Sequence, residues 1–150
     1  MAPAEIQIAN LLYRYAECID AGDFSGAAAL FSRARIKLGE HEVGAAEVEA
    51  VWRRMVVVYE DGTPRTRHVI TNPIIEVDQG QGTATCRSVY TVLQQVPGDT
   101  LRIVINGRYH DRFARDADGA WHYVWRDYSL HDFPGDMSRH TRNPEWDGKR

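Results

Sequence analysis

Two residues in this chain have the types and the setting to move a proton. Asp20 lies near the end of the stretch Leu11 to Asp23, LLYRYAECIDAGD, and His68 is the third residue of TRHVITNPIIEV. An imidazole titrates at roughly pH 6.5, so it takes a proton near neutrality, and a carboxylate on its other nitrogen fixes the tautomer and favours the charged form. Such a pair is a base for C–H abstraction. Removal of a proton beside a carbonyl or other activating group needs little more than that base, a dry pocket and an oxyanion donor. Tyr15, Asn72, Tyr90 and Arg126 are candidate donors, and Trp52 is a candidate pocket wall.

Each of these residues also has a plainer reading. Asp20 before Ala21-Gly22 can terminate a helix and bond within the turn. His68 can be a strand histidine satisfied by a carbonyl or solvent, and Tyr15, Trp52, Tyr90 and Tyr109 can be core fillers with a bonded tip. Arg126 can pair with Asp127 or with acids of another strand on the solvent face. His110 and His122 read as surface residues of a sheet. The histidines at 41, 68, 110, 122, 131 and 140 show no metal-ligand spacing, so no metal is expected. Gly80, Gly82, Gly98 and Gly119 fall in hairpin turns rather than a phosphate-cradling loop, so no cofactor is expected either.

The elements that must position the pair follow from periodicity. Ile8, Leu11, Leu12, Tyr15 and Ile19 recur at helical spacing and predict a helix over 4–20, ended by Ala21-Gly22. Asp23 is the expected N-cap of a short helix through Phe31. A short strand over 35–38 and one further brief strand in GEHEVG precede a third helix from Ala45 to about Glu60, within which Val56-Val57-Val58 is locally strand-like. From Thr66 the period changes to two. Residues 66–77, 83–96, 101–115 and 121–130 read as strands separated by the turn signals DQGQG, PGD and DADG. Pro73 places the first of these at an edge or at a bulge. The expectation is an α+β fold in which three N-terminal helices cover a strongly curved, mostly antiparallel sheet and enclose a pocket.

At 150 residues and 43% hydrophobic content the chain suits one core. The domain is expected over 1–133, with a polar tail over 134–150 that is extended or disordered unless a partner holds Trp146. A net charge of −3 with dispersed arginines argues against nucleic acid. The apolar runs are too short to span a membrane. Cys18 and Cys86 read as buried reduced thiols, which suits a cytoplasmic protein.

These residues carry a resemblance. The order Tyr15…Asp20-Ala-Gly-Asp23, a helix ending Leu30-Phe31, RHVITN around His68, and GRYHDRFARDADGAWHYVWRDY resembles the SnoaL-like branch of the nuclear transport factor 2-like superfamily, over Ile6 to about Phe133. The resemblance implies a cone-shaped α+β barrel around a hydrophobic pocket, assembled as a homodimer or homotrimer through the outer sheet face, where Val89, Ile103 and Ile105 are candidates for burial. Members include dehydratases, a dehydrochlorinase, isomerases, polyketide cyclases and the small subunits of ring-hydroxylating dioxygenases. Asp20 and His68 match the dyad of the dehydratase and dehydrochlorinase members, Tyr15 matches a pocket tyrosine of bile-acid 7α-dehydratase, and Arg126 lies near the dehydrochlorinase arginine. Scytalone dehydratase departs from the chain, with a tyrosine where Ile19 stands and a second histidine on the strand that here spans 83–96. Two functions are therefore expected as alternatives. One is a cofactor-free lyase or isomerase acting on a medium-sized apolar carbonyl, hydroxy or polycyclic molecule. The other is a noncatalytic binding or assembly subunit.

Overall fold

The computed structural model describes residues 1–142. Its first element, α1 (Ala4–Asp20), buries Ile8, Leu12, Tyr15, Ala16 and Ile19 along one stripe, as their spacing requires. The helix stops at Ala21 and Gly22, whose φ of +74° and close approach to the Gly62 carbonyl leave no room for a side chain. The Asp23 side chain then accepts the Gly26 N–H at 2.8 Å and caps α2 (Phe24–Leu30). After β1 (Arg35–Leu38) and β2 (His41–Val43) comes α3 (Ala45–Met55), which buries Val48 and Trp52.

α3 ends five residues before the expected Glu60. At Val56 the backbone turns extended, with ψ of 129°, because three successive β-branched residues favour a strand over another helical turn. Val56 forms a bridge with Thr141, and the Val57 N–H donates to the His140 carbonyl at 2.9 Å.

The remaining strands are β3 (Thr66–Asp78), β4 (Thr83–Gln94), β5 (Arg102–Arg115), β6 (Trp121–Asp127) and the short β7 (Phe133–Pro134). Their order is β2-β1-β6-β5-β4-β3, with β7 on β5; the β1–β6 pair is parallel and the others antiparallel. Register shifts fall between Thr71 and Ile74, between Val92 and Leu93, and between Arg112 and Phe113. Irregularities of this kind bend strands and increase twist, which lets the sheet wrap the helices. Pro73 lies at one of them, on the edge strand β3, as a residue without a ladder donor must.

The core forms where the three helices meet the inward residues of β4, β5 and β6. Cys86 is buried in it and Cys18 is half-buried; both are free thiols. Ile105, expected on the outer face, is 4% exposed and points inward, because the bulge opposite Val92 and Leu93 shifts the alternation of β5. Within 134–142, expected as part of an extended or disordered polar tail, Met137 and His140 are 3% and 7% exposed, so these two side chains pack into the fold while most of their neighbours stay exposed. Trp146 lies outside the described residues.

Candidate active site

Asp20 is the last residue of α1, and His68 is the third residue of the edge strand β3. An edge strand leaves backbone N–H groups unpaired on its outer side. Asp20 takes one of them: its Oδ2 accepts the His68 N–H at 2.7 Å, while its Oδ1 accepts the Thr66 hydroxyl at 2.9 Å and meets His68 Nδ1 at 2.6 Å. An ionised carboxylate only accepts, so the ring proton sits on Nδ1 and the lone pair is left on Nε2, at the far edge of the ring. A helix C-terminus is an unfavourable place for an anion, and three converging donors offset that.

The His68 side chain is 4% exposed and forms part of the wall of a cavity of ≈ 70 Å³. The lining is largely apolar, with Leu38, Val51, Met55, Val92, Ile105 and Met137 among it. Its polar atoms come from Trp52, Tyr90, Tyr109, Tyr128, His131 and His140, together with Thr141. Drug-sized ligand sites run to roughly 300–1,000 Å³. The cavity is smaller than that, and a second pocket of ≈ 500 Å³ also touches Asp20, Thr66 and His68.

The sequence candidates separate into three groups. Asp20 and His68 come together as a dyad, and Trp52 and Tyr90 line the cavity with His68. Tyr15 stands one layer behind: fully buried, it shares a 2.7 Å hydrogen bond with the Tyr128 hydroxyl and sets its ring edge-on to His68 at 6.2 Å. Asn72 and Arg126 are not pocket residues. Asn72 is exposed and holds φ of +51° at the β3 bulge, a conformation asparagine tolerates.

Arg126 is completely buried and forks onto the directly opposed Asp111 at 2.8 and 2.9 Å. Its guanidinium lies 3.9 Å from the Tyr109 ring centroid and 4.5 Å from that of Tyr15, so it makes cation–π contacts with two rings that stand nearly perpendicular to each other, 5.8 Å apart. Burial pushes the Asp111 carboxyl up and the guanidinium pulls against it. Burial also opposes the Arg126 charge, but Asp111 and Tyr123 outweigh it. The forked geometry is that of an ion pair, and it identifies Arg126 as a structural cation rather than a substrate contact.

Burial raises the phenols of Tyr90 and Tyr109, leaving both neutral donors at physiological pH. Burial also lowers His131, whose Nδ1 meets the Tyr90 hydroxyl at 2.9 Å. His140 is pushed down to about 4, first by burial and then by His68, with Asp20 opposing. His131, His140 and Thr141 escaped the sequence reading because they lie beyond the last periodic segment, and Tyr128, near the end of that segment, was not singled out; the apolar Met137 between the two histidines was the one signal that this stretch is buried. Among the described residues no group of three or more His, Cys, Asp or Glu is placed to hold a metal ion, and no helix is long and apolar enough to cross a membrane.

A family model described as a SnoaL-like domain matches residues 2–127. Among curated proteins none matches the chain. Among solved structures, a protein of unknown function from Mycobacterium tuberculosis is 26% identical, with a TM-score of 0.66 over 85% of this chain and 74% of its own. An NTF2-like protein with a cystatin-like fold from Novosphingobium aromaticivorans is 22% identical, with a TM-score of 0.66 over 85% and 82%. A further protein from that organism, named for scytalone dehydratase, is 18% identical, with a TM-score of 0.62 over 82% and 80%.

Proposed function

Because the chain belongs to the SnoaL-like domain family, we propose that it is a cofactor-free lyase or isomerase in which His68 removes a proton from a small, largely apolar carbonyl or hydroxy compound. The observation that carries this reading is the 2.6 Å contact between His68 Nδ1 and Asp20 Oδ1 at the wall of an apolar cavity. Asp20 holds the ring with Nε2 free to accept a proton, and it stabilises the imidazolium that results. The neutral phenols of Tyr90 and Tyr109 are donors in the same wall for the oxygen on which negative charge develops. Loss of a leaving group from the adjacent carbon gives elimination, and return of the proton elsewhere gives isomerisation.

The reading is tested by α-proton exchange of small cyclic ketones in deuterated water, followed by NMR. His68→Ala and Asp20→Asn are expected to slow exchange by roughly 10²–10⁴-fold with the fold intact. Wild-type rates in both variants would end the proposal. The modest cavity volume favours a second reading, a noncatalytic binding or assembly subunit. That reading predicts no exchange by the wild-type protein. Self-association through the sheet belongs to either reading and is supported by Ile74, Ile103 and Phe133, which are 50%, 66% and 72% exposed.

A further inference from the structure

Among the described residues, five buried side-chain nitrogen or oxygen atoms have no hydrogen-bond partner, one each in Trp52, Ser88, Arg126, His140 and Thr141. Three of these five, Trp52 Nε1, His140 Nδ1 and Thr141 Oγ1, belong to residues lining the apolar cavity that His68 also lines. Folded proteins leave few such groups, because each buried, unpaired donor or acceptor costs about 1–3 kcal/mol. Their concentration on one wall therefore calls for a cause.

Local structure brings the three together. Trp52 stands one turn before the end of α3, and the chain after that helix is zipped to the C-terminal segment. The Val57 N–H donates to the His140 carbonyl at 2.9 Å, Val56 bridges Thr141, and the Arg142 N–H donates to the Met55 carbonyl at 2.8 Å. The His140 ring lies 6.4 Å from that of His68, so this polar wall adjoins the base.

We infer that Trp52, His140 and Thr141 form a subsite for one uncharged oxygen, a hydroxyl or carbonyl, of the molecule that the cavity binds. The inference rests on the proposed use of His68 only for the ligand's role, not for its binding. The indole N–H can only donate, so the ligand atom must accept; the threonine hydroxyl and the imidazole nitrogen serve as donor or acceptor to match either group. Arg126 is committed to Asp111 outside the cavity, and among the described residues no lysine or arginine lines it. A carboxylate placed there would be buried without a countercharge, and the subsite rejects it. The polar wall thus sets which end of a small oxygenated skeleton enters facing α3, and it presents the carbon beside that oxygen to the His68 side of the cavity.

The experiment is a ¹H–¹⁵N titration of the full chain, with the Trp52 indole resonance identified by its loss in Trp52→Phe. Cyclopentanol and cyclopentanone are the probes; methylcyclopentane and cyclopentanecarboxylate are the controls. Both probes are expected to move the indole proton downfield and saturably, and neither control should. His140→Phe and Thr141→Val, with folding checked by the dispersion of the remaining resonances, should each weaken the response about tenfold, the scale of one hydrogen bond. No shift with either probe, or an equal shift with the hydrocarbon, overturns the subsite and leaves only hydration of the three groups. His68→Ala should retain the titration. Retention of the titration with no effect of His68→Ala on proton exchange would remove the base and keep the subsite. Loss of the titration with His68-dependent exchange would do the reverse.

Discussion

Asp20 grips His68 twice, through Oδ1 to the ring nitrogen and through Oδ2 to the backbone N–H of the same residue. In Asp20→Asn one of those oxygens becomes an amide, so either the backbone contact is lost or the ring must move its proton to Nε2 and accept from the amide through Nδ1. The expected outcome is a ring whose tautomer is no longer fixed and a fold weakened by about 1–3 kcal/mol. Urea unfolding reads the second effect, and ¹⁵N shifts of the labelled histidine ring read the first. An unchanged ring spectrum would mean that Asp20 does not set the tautomer.

The Arg126–Asp111 pair gives a different pattern. Asp111→Ala leaves a fully buried guanidinium unpaired and should cost about 3–5 kcal/mol, whereas Arg126→Met combined with Asp111→Leu should recover most of that stability. Denaturant midpoints of the single and double variants measure the difference. Equal destabilisation in all three would mean that packing, not charge, governs the position.

His140 imposes a pH dependence on stability. Its folded pKa of about 4 lies below the roughly 6.5 of an exposed histidine, so between those values the unfolded chain binds more protons. Stability is therefore complete above pH 6.5 and declines as the pH falls toward 4, by an amount on the order of 3 kcal/mol. His140→Phe should flatten this part of the profile. A profile that keeps its slope in the variant would assign the effect to other groups.

Gly107 is a steric test of the cavity wall. A Cβ built there would meet the Leu130 carbonyl oxygen and the Tyr90 hydroxyl. Gly107→Ala should destabilise the fold by about 1–3 kcal/mol and disturb the contact between Tyr90 and His131. Thermal unfolding together with the His131 ring resonances would show both changes, and neither should occur if the wall yields freely.

Ile103→Glu tests self-association. The residue is 66% exposed, so the charge should leave the unfolding midpoint of a monomer unchanged while raising the dissociation constant of an oligomer by tenfold or more. Sedimentation equilibrium decides, and an identical molecular-mass distribution in the variant would place any interface elsewhere.

Much of this was legible where one physical rule governs a segment. The stripe Ile8, Leu12, Tyr15, Ile19 with its Ala-Gly stop marks α1, and the alternation from Thr66 onward marks the sheet, so Asp20 and His68 were correctly placed at a helix end and a strand start. Reading failed where two rules compete. Met55 and Tyr59 keep a helical period across Val56–Val58, but branched side chains won and ended α3. Ile105 was misassigned, and the face of Arg126 stayed open, because bulges shift the face on which later residues fall, and no local pattern counts a bulge. His140 had no period at all: its burial comes from contacts with Val57 and Met137 that only the fold creates.

The dyad and the wall that faces it come from different stretches of chain. Asp20 and His68 are fixed by α1 and β3, whereas His140, Thr141 and Met137 arrive on a short connector fastened mainly to the residues that follow α3. Selection acting on that segment can therefore change which molecule meets the imidazole without altering how the imidazole is held, so a new preference in this scaffold need not disturb the Asp20–His68 pair.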